Sequence, residues 1–170
     1  MFLLLKRLFD VLLSMGLILI LIPLCLIISM IIFLQDFKTP IFKQRRIGKD
    51  GKEFVFYKFR SMPLNTPNVE SYRKDKLKIT PFGKFIRRYN LDELPQFLNV
   101  LKGDMSFIGP RPPIPSQTNL IRMRRQNKSL FLKPGLTGWA QVNAYDNMPE
   151  EVKASFDGEY AENISLKMDF

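Results

Sequence analysis

The sequence predicts an α+β fold, mostly helical, with an N-terminal membrane helix-break-helix, amphipathic interfacial helices and a small β-hairpin. Three observations lead to this prediction. Residues 11–35 carry no charge and are long enough to enter a bilayer, whose core is spanned by about 20 apolar residues. Residues 41–60 contain two strand-like runs around a glycine-containing turn. Residues 82–89 repeat apolar side chains at helical spacing.

The uncharged run has a proline, Pro23, near its middle. Proline lacks an N–H and clashes with the preceding turn, so a break or kink is expected there. Basic residues flank both ends, Lys6 and Arg7 among them, and the positive-inside rule therefore gives no orientation for a straight span. A bent helix that enters one leaflet and returns fits this charge pattern, and an ordinary spanning helix with a tolerated proline is the alternative. A signal peptide is disfavoured, because its apolar core is usually about 7–15 residues.

Charge is unevenly distributed along the chain, which has a net charge of +10. Residues 1–145 hold 24 Lys and Arg against 9 Asp and Glu, whereas residues 146–170 hold 2 against 7. A basic body beside a membrane segment favours anionic headgroups or phosphate substrates as partners. Nucleic acid is the other usual partner of such a charge balance, but a membrane anchor argues against it. We expect a membrane-embedded segment, residues 1–36, and one further domain, residues 37–170.

The composition also excludes several kinds of catalysis. The chain has no histidine, and its single cysteine, Cys25, lies in the apolar run. A Ser-His-Asp triad, a histidine-ligated zinc site and a disulfide framework are therefore excluded. The remaining chemical groups are carboxylates, lysines, arginines and hydroxyls, together with a hard metal ion such as Mg²⁺, which prefers oxygen ligands.

The predicted hairpin pairs Ile41–Ile47 with residues 54–60. Alternation in the second strand places Lys58 and Arg60 on one surface, which is either a binding surface or a solvated strand edge. Residues 63–80 are polar and interrupted by prolines, which predicts a loop.

Two basic helices are expected after this loop. In residues 82–89, Arg87 and Arg88 lie among the apolar positions, as in an interfacial helix. A surface helix packed on the domain core is the alternative. A second basic helical stretch covers residues 117–128 and is expected beside the membrane as well.

Residues 91–113 contain the densest set of candidate functional groups. Pro95 suits the first turn of a helix and Gly103 its end, which places Asp92 and Glu93 at the helix N-terminus. The helix dipole would keep a carboxylate ionised there, although helix capping alone could explain the pair. Arg111 lies between prolines that fix its backbone, an arrangement that suits bidentate phosphate recognition.

Residues 133–143 form a predicted loop with two glycines, Gly135 and Gly138, that would permit close approach of the backbone to a ligand. Gln141 and Asn143 add hydrogen-bonding groups. Together, the residues indicate phosphate chemistry at a membrane surface with Mg²⁺.

Five motifs in order carry a resemblance to a known family. The chain resembles the small monotopic phosphoglycosyl transferases of the bacterial sugar transferase family, and the likeness covers nearly its whole length. The motifs are Lys6-Arg7-Leu8-Phe9-Asp10, Tyr57-Lys58-Phe59-Arg60-Ser61-Met62, Leu91-Asp92-Glu93-Leu94-Pro95-Gln96, residues 103–112 and residues 134–143.

The resemblance implies an enzyme that moves a sugar 1-phosphate from a UDP-sugar to undecaprenyl phosphate and releases UMP, the first membrane step of surface glycan synthesis. It implies Asp92 as the nucleophile that forms an aspartyl-phosphosugar intermediate. Glu93 would assist it, and the two carboxylates would hold Mg²⁺. The phosphate- and nucleotide-binding residues would be Lys58, Arg60, Arg111, Gln141 and Asn143, and those at the membrane or lipid would be Lys6, Arg7, Pro23, Arg87 and Arg88.

The resemblance also implies a re-entrant N-terminal hairpin in the bacterial inner membrane, with the catalytic domain on its cytoplasmic face. Expected partners are the UDP-sugar, undecaprenyl phosphate and the inner leaflet, and downstream membrane glycosyltransferases are further candidates. Nucleic acid is not expected as a partner. A non-catalytic membrane scaffold of a glycan assembly complex is the alternative function.

Overall fold

The computed structural model describes residues 2–63, 79–145 and 148–169, and the loop predicted over residues 63–80 lies almost wholly outside these ranges. Helices predominate, with two small sheets, as expected. Short 3₁₀ turns occur at Lys49–Gly51, Leu91–Gln96 and Ser129–Phe131. The helices are α1 (Phe2–Asp36), α2 (Pro81–Arg88), α3 (Phe97–Lys102), α4 (Thr118–Gln126), α5 (Trp139–Val142), α6 (Glu150–Glu162) and α7 (Leu166–Asp169), and the strands are β1 (Ile41–Ile47), β2 (Glu53–Phe59), β3 (Ser106–Ile108) and β4 (Gly135–Thr137).

Helix α1 is the long apolar element that the uncharged run predicts. It has 35 residues, is long and apolar enough to cross a membrane, and exposes most of its side chains. The helix continues through Pro23 without interruption, so the predicted helix-break-helix is a single helix in this structure. A proline removes one backbone hydrogen bond, and neighbouring turns can sustain the helix around it. Re-entry into one leaflet remains a prediction.

Both ends of α1 contact the rest of the protein. Near its start, Arg7 donates to the carbonyl oxygens of Val100 and Leu101 at 2.6 and 2.9 Å. At its end, Asp36 forms an ion pair with Arg60. The two ends of the apolar helix are therefore held on the same domain.

The predicted β-hairpin is confirmed. Strands β1 and β2 are antiparallel, with Phe42 opposite Lys58 and Arg46 opposite Phe54, and β2 begins one residue earlier than expected. The turn between them includes two residues with positive φ, Asp50 at 59° and Gly51 at 79°.

Two apolar clusters join the hairpin to the helices. One consists of Ile28 and Ile32 from α1, Phe59 from β2 and Ile86 from α2, all at most 3% exposed. The other, formed by Phe56, Val100 and Met105, packs β2 on α3 and the segment before β3. The hairpin therefore lies between the apolar helix and the segment that carries Asp92 and Glu93.

The helix expected at residues 82–89 is α2, one residue earlier, and Thr80 caps it by accepting from Gly83 N. Phe85 in α2 and Tyr89 just after it are each more than half exposed, whereas Ile86 is fully buried. The second basic stretch forms α4. The position of either helix at a membrane surface remains a prediction.

A parallel pairing of β3 and β4 corrects the expectation for the glycine loop. A Cβ on Gly135 or Gly138 would collide with the backbone of Gly109. These glycines therefore permit close contact between two segments of the chain, rather than between the chain and a ligand. This contact fixes the segment that leads into Arg111.

Candidate active site

Asp92 and Glu93 lie in the 3₁₀ turn Leu91–Gln96, which directly precedes α3. The turn begins after Asn90, whose φ of 54° is left-handed, and contains Pro95. Gly103 ends α3 with a φ of 94°, as the sequence predicts. Asp92 is only 5% exposed, and the Glu93 side chain is 20% exposed. Both carboxylates are therefore more buried than ordinary helix-capping groups at a surface.

Two cations converge on Glu93. Lys58 Nζ donates to Glu93 Oε1 at 2.7 Å, and Arg111 Nη2 donates to the same oxygen at 2.5 Å. Lys58 Nζ lies 3.7 Å from Asp92 Oδ2, beyond hydrogen-bonding distance. Glu93 therefore holds the cations in place, and the Asp92 carboxylate remains close to a positive charge without a direct hydrogen bond to it.

The two carboxyl groups differ in their acidity. Although burial acts to raise the pKa of Glu93, the charges of Arg111 and Lys58 lower it to about 2. Burial raises the pKa of Asp92, and the charge of Lys58 only partly offsets this effect. Burial therefore opposes the effect that the sequence predicted for the helix N-terminus, which favours an ionised carboxylate. A carboxylate with a raised pKa is a stronger base and a better nucleophile.

The lysine is positioned by the hairpin and by α3. Burial lowers the pKa of Lys58, and the neighbouring Glu93 opposes this shift. Asn99, which is fully buried, accepts from Tyr57 N at 3.2 Å and donates to Val55 O at 2.7 Å. These hydrogen bonds fix β2, and with it Lys58, against the helix that follows the carboxylates.

A buried ion pair between Arg124 and Asp157 supports the backbone of Arg111. Arg124 Nη1 donates to the Arg111 carbonyl oxygen at 2.7 Å. The same guanidinium pairs with Asp157 of α6 at 2.6 Å, and both side chains are at most 4% exposed. The Arg111 backbone is thus held by α4 and α6, in addition to the flanking prolines.

Two further cations near the carboxylates, Arg46 and Arg87, were not predicted as phosphate-binding residues. Arg46 of β1 donates to the carbonyl oxygen of Pro112, the residue after Arg111, and burial together with the charge of Arg111 lowers the pKa of Arg46 to about 10. Arg87 donates to Ser61 Oγ at 2.8 Å, and its charge acts on Asp92. Arg46 lies on the hairpin face that carries Lys58, but alternation in β1 alone does not show this, because the shared face depends on the register of the two strands. Arg87 was expected at the lipid surface instead.

Several predicted site residues have contacts away from this cluster. Arg60 is 7% exposed and forms a two-pronged pair with Asp36, while its Nε donates to Thr39 O. Gln141 donates to the carbonyl oxygen of Leu136 in β4, and Asn143 donates to that of Trp139 in α5. These contacts give the three side chains structural partners, and their binding of phosphate or nucleotide remains a prediction.

The residues expected at the membrane also have partners in the protein. Lys6 Nζ donates to Asp169 at 2.6 Å, and Arg7 binds the end of α3. Arg88 lies 5.8 Å from the centre of the Tyr89 ring. Pro23 stays within α1.

The donor set for the expected Mg²⁺ ion is small. Among the described residues, no group of three or more Asp, Glu, His or Cys side chains could hold a metal ion. Mg²⁺ is commonly bound by one or two carboxylates, with waters and substrate phosphates as the other ligands. Asp92 fits such a site, whereas Oε1 of Glu93 already accepts from Lys58 and Arg111.

The fold and the site together define a class of protein. A long apolar helix is joined to a small domain, which suggests membrane association. Beside this helix lie the buried Asp92 and the partly buried Glu93, and the charges of Lys58, Arg111, Arg46 and Arg87 act on this pair. Such an excess of fixed positive charge suits a phosphate-containing substrate.

The chain belongs to the Bacterial sugar transferase family, whose match covers residues 1–170. It is 38% identical over 165 residues to "Uncharacterized sugar transferase EpsL" of Bacillus subtilis, which covers 97% of this chain and 81% of that protein. It is also 38% identical to "UDP-glucose:undecaprenyl-phosphate glucose-1-phosphate transferase" of Escherichia coli, covering 98% of this chain and 38% of that protein. It is 37% identical to "Undecaprenyl-phosphate galactose phosphotransferase" of Salmonella typhimurium, and this match covers 95% of this chain and 37% of that protein. The predicted family is thus confirmed, and the chain spans less than half the length of these last two relatives.

Proposed function

We propose that the protein is a phosphoglycosyl transferase that moves a sugar 1-phosphate from a UDP-sugar to undecaprenyl phosphate, with release of UMP. Relatives named for UDP-glucose and for undecaprenyl phosphate support both substrates. The observation that carries the proposal is the different environment of two adjacent carboxylates, the buried Asp92 and the partly buried Glu93. Glu93 binds both cations, and Asp92 is left beside Lys58 with a raised pKa.

In the first step, an Asp92 carboxylate oxygen attacks the β-phosphorus of the UDP-sugar. The bond from this phosphorus to the bridging oxygen breaks, and UMP leaves with the electron pair. The product is an acyl phosphate that links Asp92 to the sugar. In this proposal Lys58 and Arg111, which both bind Glu93, stabilise the charge of the transferred phosphoryl group, which is the main task of catalysis in such reactions.

In the second step, a phosphate oxygen of undecaprenyl phosphate attacks the same phosphorus. The bond to Asp92 breaks, which restores the carboxylate and produces a polyprenyl diphosphate sugar. Neither step needs histidine, because the nucleophile is an anion and the leaving group is a phosphate. Mg²⁺, bound by Asp92 with Glu93 nearby, would neutralise charge on the diphosphate when present.

The contacts of α1 support a re-entrant arrangement in the inner membrane, with the domain on the cytoplasmic face. A straight helix of 35 residues is about 52 Å long. If it crossed the bilayer, one end would lie on the far side from the domain. Here Arg7 and Asp36, at opposite ends, both bind the domain. Both basic flanks then lie on one side, as the positive-inside rule favours.

The test is to incubate the purified protein with a panel of UDP-sugars without a lipid acceptor and to measure its intact mass. A phosphosugar adduct is expected on the wild type and on Asp50→Asn, an exposed control, but not on Asp92→Asn. Release of UMP only after addition of undecaprenyl phosphate, with no adduct, would indicate direct transfer. If no UDP-sugar yields UMP with the lipid present, the enzyme proposal is wrong, and binding of glycan enzymes without turnover would favour the scaffold.

A further inference from the structure

Of the three cations Lys58, Arg111 and Arg46, only Arg46 has no carboxylate within salt-bridge distance among the described residues. Glu93 pairs with Lys58 and with Arg111. Arg46 Nη1 donates to the carbonyl oxygen of Pro112 at 3.1 Å, a neutral acceptor. Its Nε is buried and has no hydrogen-bond partner among the described residues. A buried guanidinium donor without an acceptor is costly, so it suits a group that binds from outside the chain.

The hairpin holds Arg46 next to the site. Arg46 and Lys58 lie on the same face of the β1–β2 pair, and both approach the ring of Phe56. The Arg46 Cζ atom is 5.3 Å from the ring centre, and the Lys58 Nζ atom is 5.5 Å from it. The aromatic ring thus fixes the two cations on a common platform.

Arg46 and Arg111 also approach each other from different segments. Pro112, which accepts from Arg46, directly follows Arg111, and the charges of the two guanidinium groups act on each other. Two like charges in a partly buried place repel, and an anion between them removes this repulsion. Guanidinium groups match the geometry of phosphate oxygens, which they bind through paired hydrogen bonds.

We propose that Arg46 binds a phosphate group of a substrate, together with Arg111, in the active site. The inference rests on the proposed function, which involves three phosphate groups: the transferred one, that of the departing UMP, and that of the lipid acceptor. Lys58 and Arg111 are already placed for the transferred group. Arg46 then contributes to binding of the UMP phosphate or of the acceptor phosphate, and the two half-reactions distinguish these sources.

The experiment compares Arg46→Gln with Arg45→Gln. Arg45 is the neighbouring residue on the opposite face of β1, its side chain is 78% exposed, and it pairs with Glu53 at the surface. The first half-reaction is followed as UMP release from an accepted UDP-sugar without lipid. The second is followed as transfer from the preformed adduct to undecaprenyl phosphate. Calorimetric binding of UMP and of inorganic pyrophosphate provides a measurement that does not depend on turnover.

Loss of a charge-assisted hydrogen bond is expected to lower the rate of one half-reaction, or the affinity for UMP, by about 10- to 100-fold. Slower UMP release with weaker UMP binding assigns Arg46 to the departing phosphate. Slower transfer to the lipid, with UMP release unchanged, assigns it to the acceptor. Rates and affinities within about twofold of Arg45→Gln would overturn the inference. If Arg46→Gln fails to fold, Arg46→Lys replaces it, and a UMP affinity and two rates equal to wild type would overturn the inference in the same way.

The failure of this inference can be told apart from failure of the proposed function. If the wild type never releases UMP, the proposed function fails, and binding of inorganic pyrophosphate by the wild type and by Arg46→Gln still decides whether Arg46 binds phosphate. Equal binding by the two proteins, or none by the wild type, would overturn it.

Discussion

The buried pair between Arg124 and Asp157 gives the sharpest prediction for stability. Asp157→Asn keeps the shape of the side chain and removes its charge. The Arg124 guanidinium donates to Asp157 from Nε at 2.8 Å and pairs with it from Nη2 at 2.6 Å. Removing one partner leaves the other charge buried and uncompensated, which costs about 3–5 kcal/mol. For a chain of this length, that corresponds to a fall in melting temperature of about 6–20 °C.

The assay is thermal unfolding in detergent micelles, with Glu151→Gln as the control. Glu151 lies in the same helix as Asp157 and is exposed, so its variant should melt close to the wild type. Because Arg124 also donates to the Arg111 carbonyl oxygen, Asp157→Asn should lower UMP release as well as the melting temperature. A melting temperature within about 2 °C of the control would refute the reasoning that this pair is buried and coupled to the site.

Two other changes test the site and its support. In metal-free buffer, Glu93→Gln should lower the free energy of unfolding by about 3 kcal/mol at pH 7, because the pKa of Glu93 is about 2 instead of its ordinary 4.5. A folded-state pKa below the ordinary value gives stability that is present above pH 4.5 and lost as the pH falls towards 2. The difference in melting temperature between Glu93→Gln and the wild type should therefore shrink as the pH falls over that range. A difference that stays constant with pH would contradict this prediction. So would a similar effect of Glu53→Gln, which changes an exposed carboxylate. Gly135→Ala should separate β4 from Gly109 and lower both the melting temperature and the rate of UMP release. The control is Gly16→Ala, where the added methyl group meets nothing within 4 Å. Equal melting temperatures of the two variants would contradict the close contact.

Local patterns in the sequence predicted the elements that depend on local physics. Alternation and a glycine turn were enough for the β1–β2 hairpin. Apolar spacing predicted α2 and a C-terminal glycine predicted the end of α3, both within about a residue. Of the candidate site residues, Asp92, Glu93, Lys58 and Arg111 are brought together by the fold.

The remaining features depend on long-range contacts, which local patterns do not specify. The parallel pairing of β3 with β4 joins segments almost 30 residues apart and requires glycines on both sides. Arg60 was predicted on a strand face with Lys58, but it follows the last residue of β2 and binds Asp36, a residue 24 positions earlier. The platform that brings Arg46 to the site is visible only once the strand register is known. In each case the partner, rather than the pattern, decides what the residue does.

Arg60 explains how the apolar helix and the site are connected. Lys58, Phe59 and Arg60 are consecutive: the first pairs with Glu93, the second packs on Ile28 and Ile32 of α1, and the third binds Asp36 at the end of α1. The strand therefore fixes the site relative to the helix through two contacts within two residues of Lys58. A lipid acceptor presents its phosphate at the membrane surface, whereas a UDP-sugar arrives from water. The proposed function therefore requires cations held at a constant distance from the membrane helix, and the contacts of these three consecutive residues would provide this.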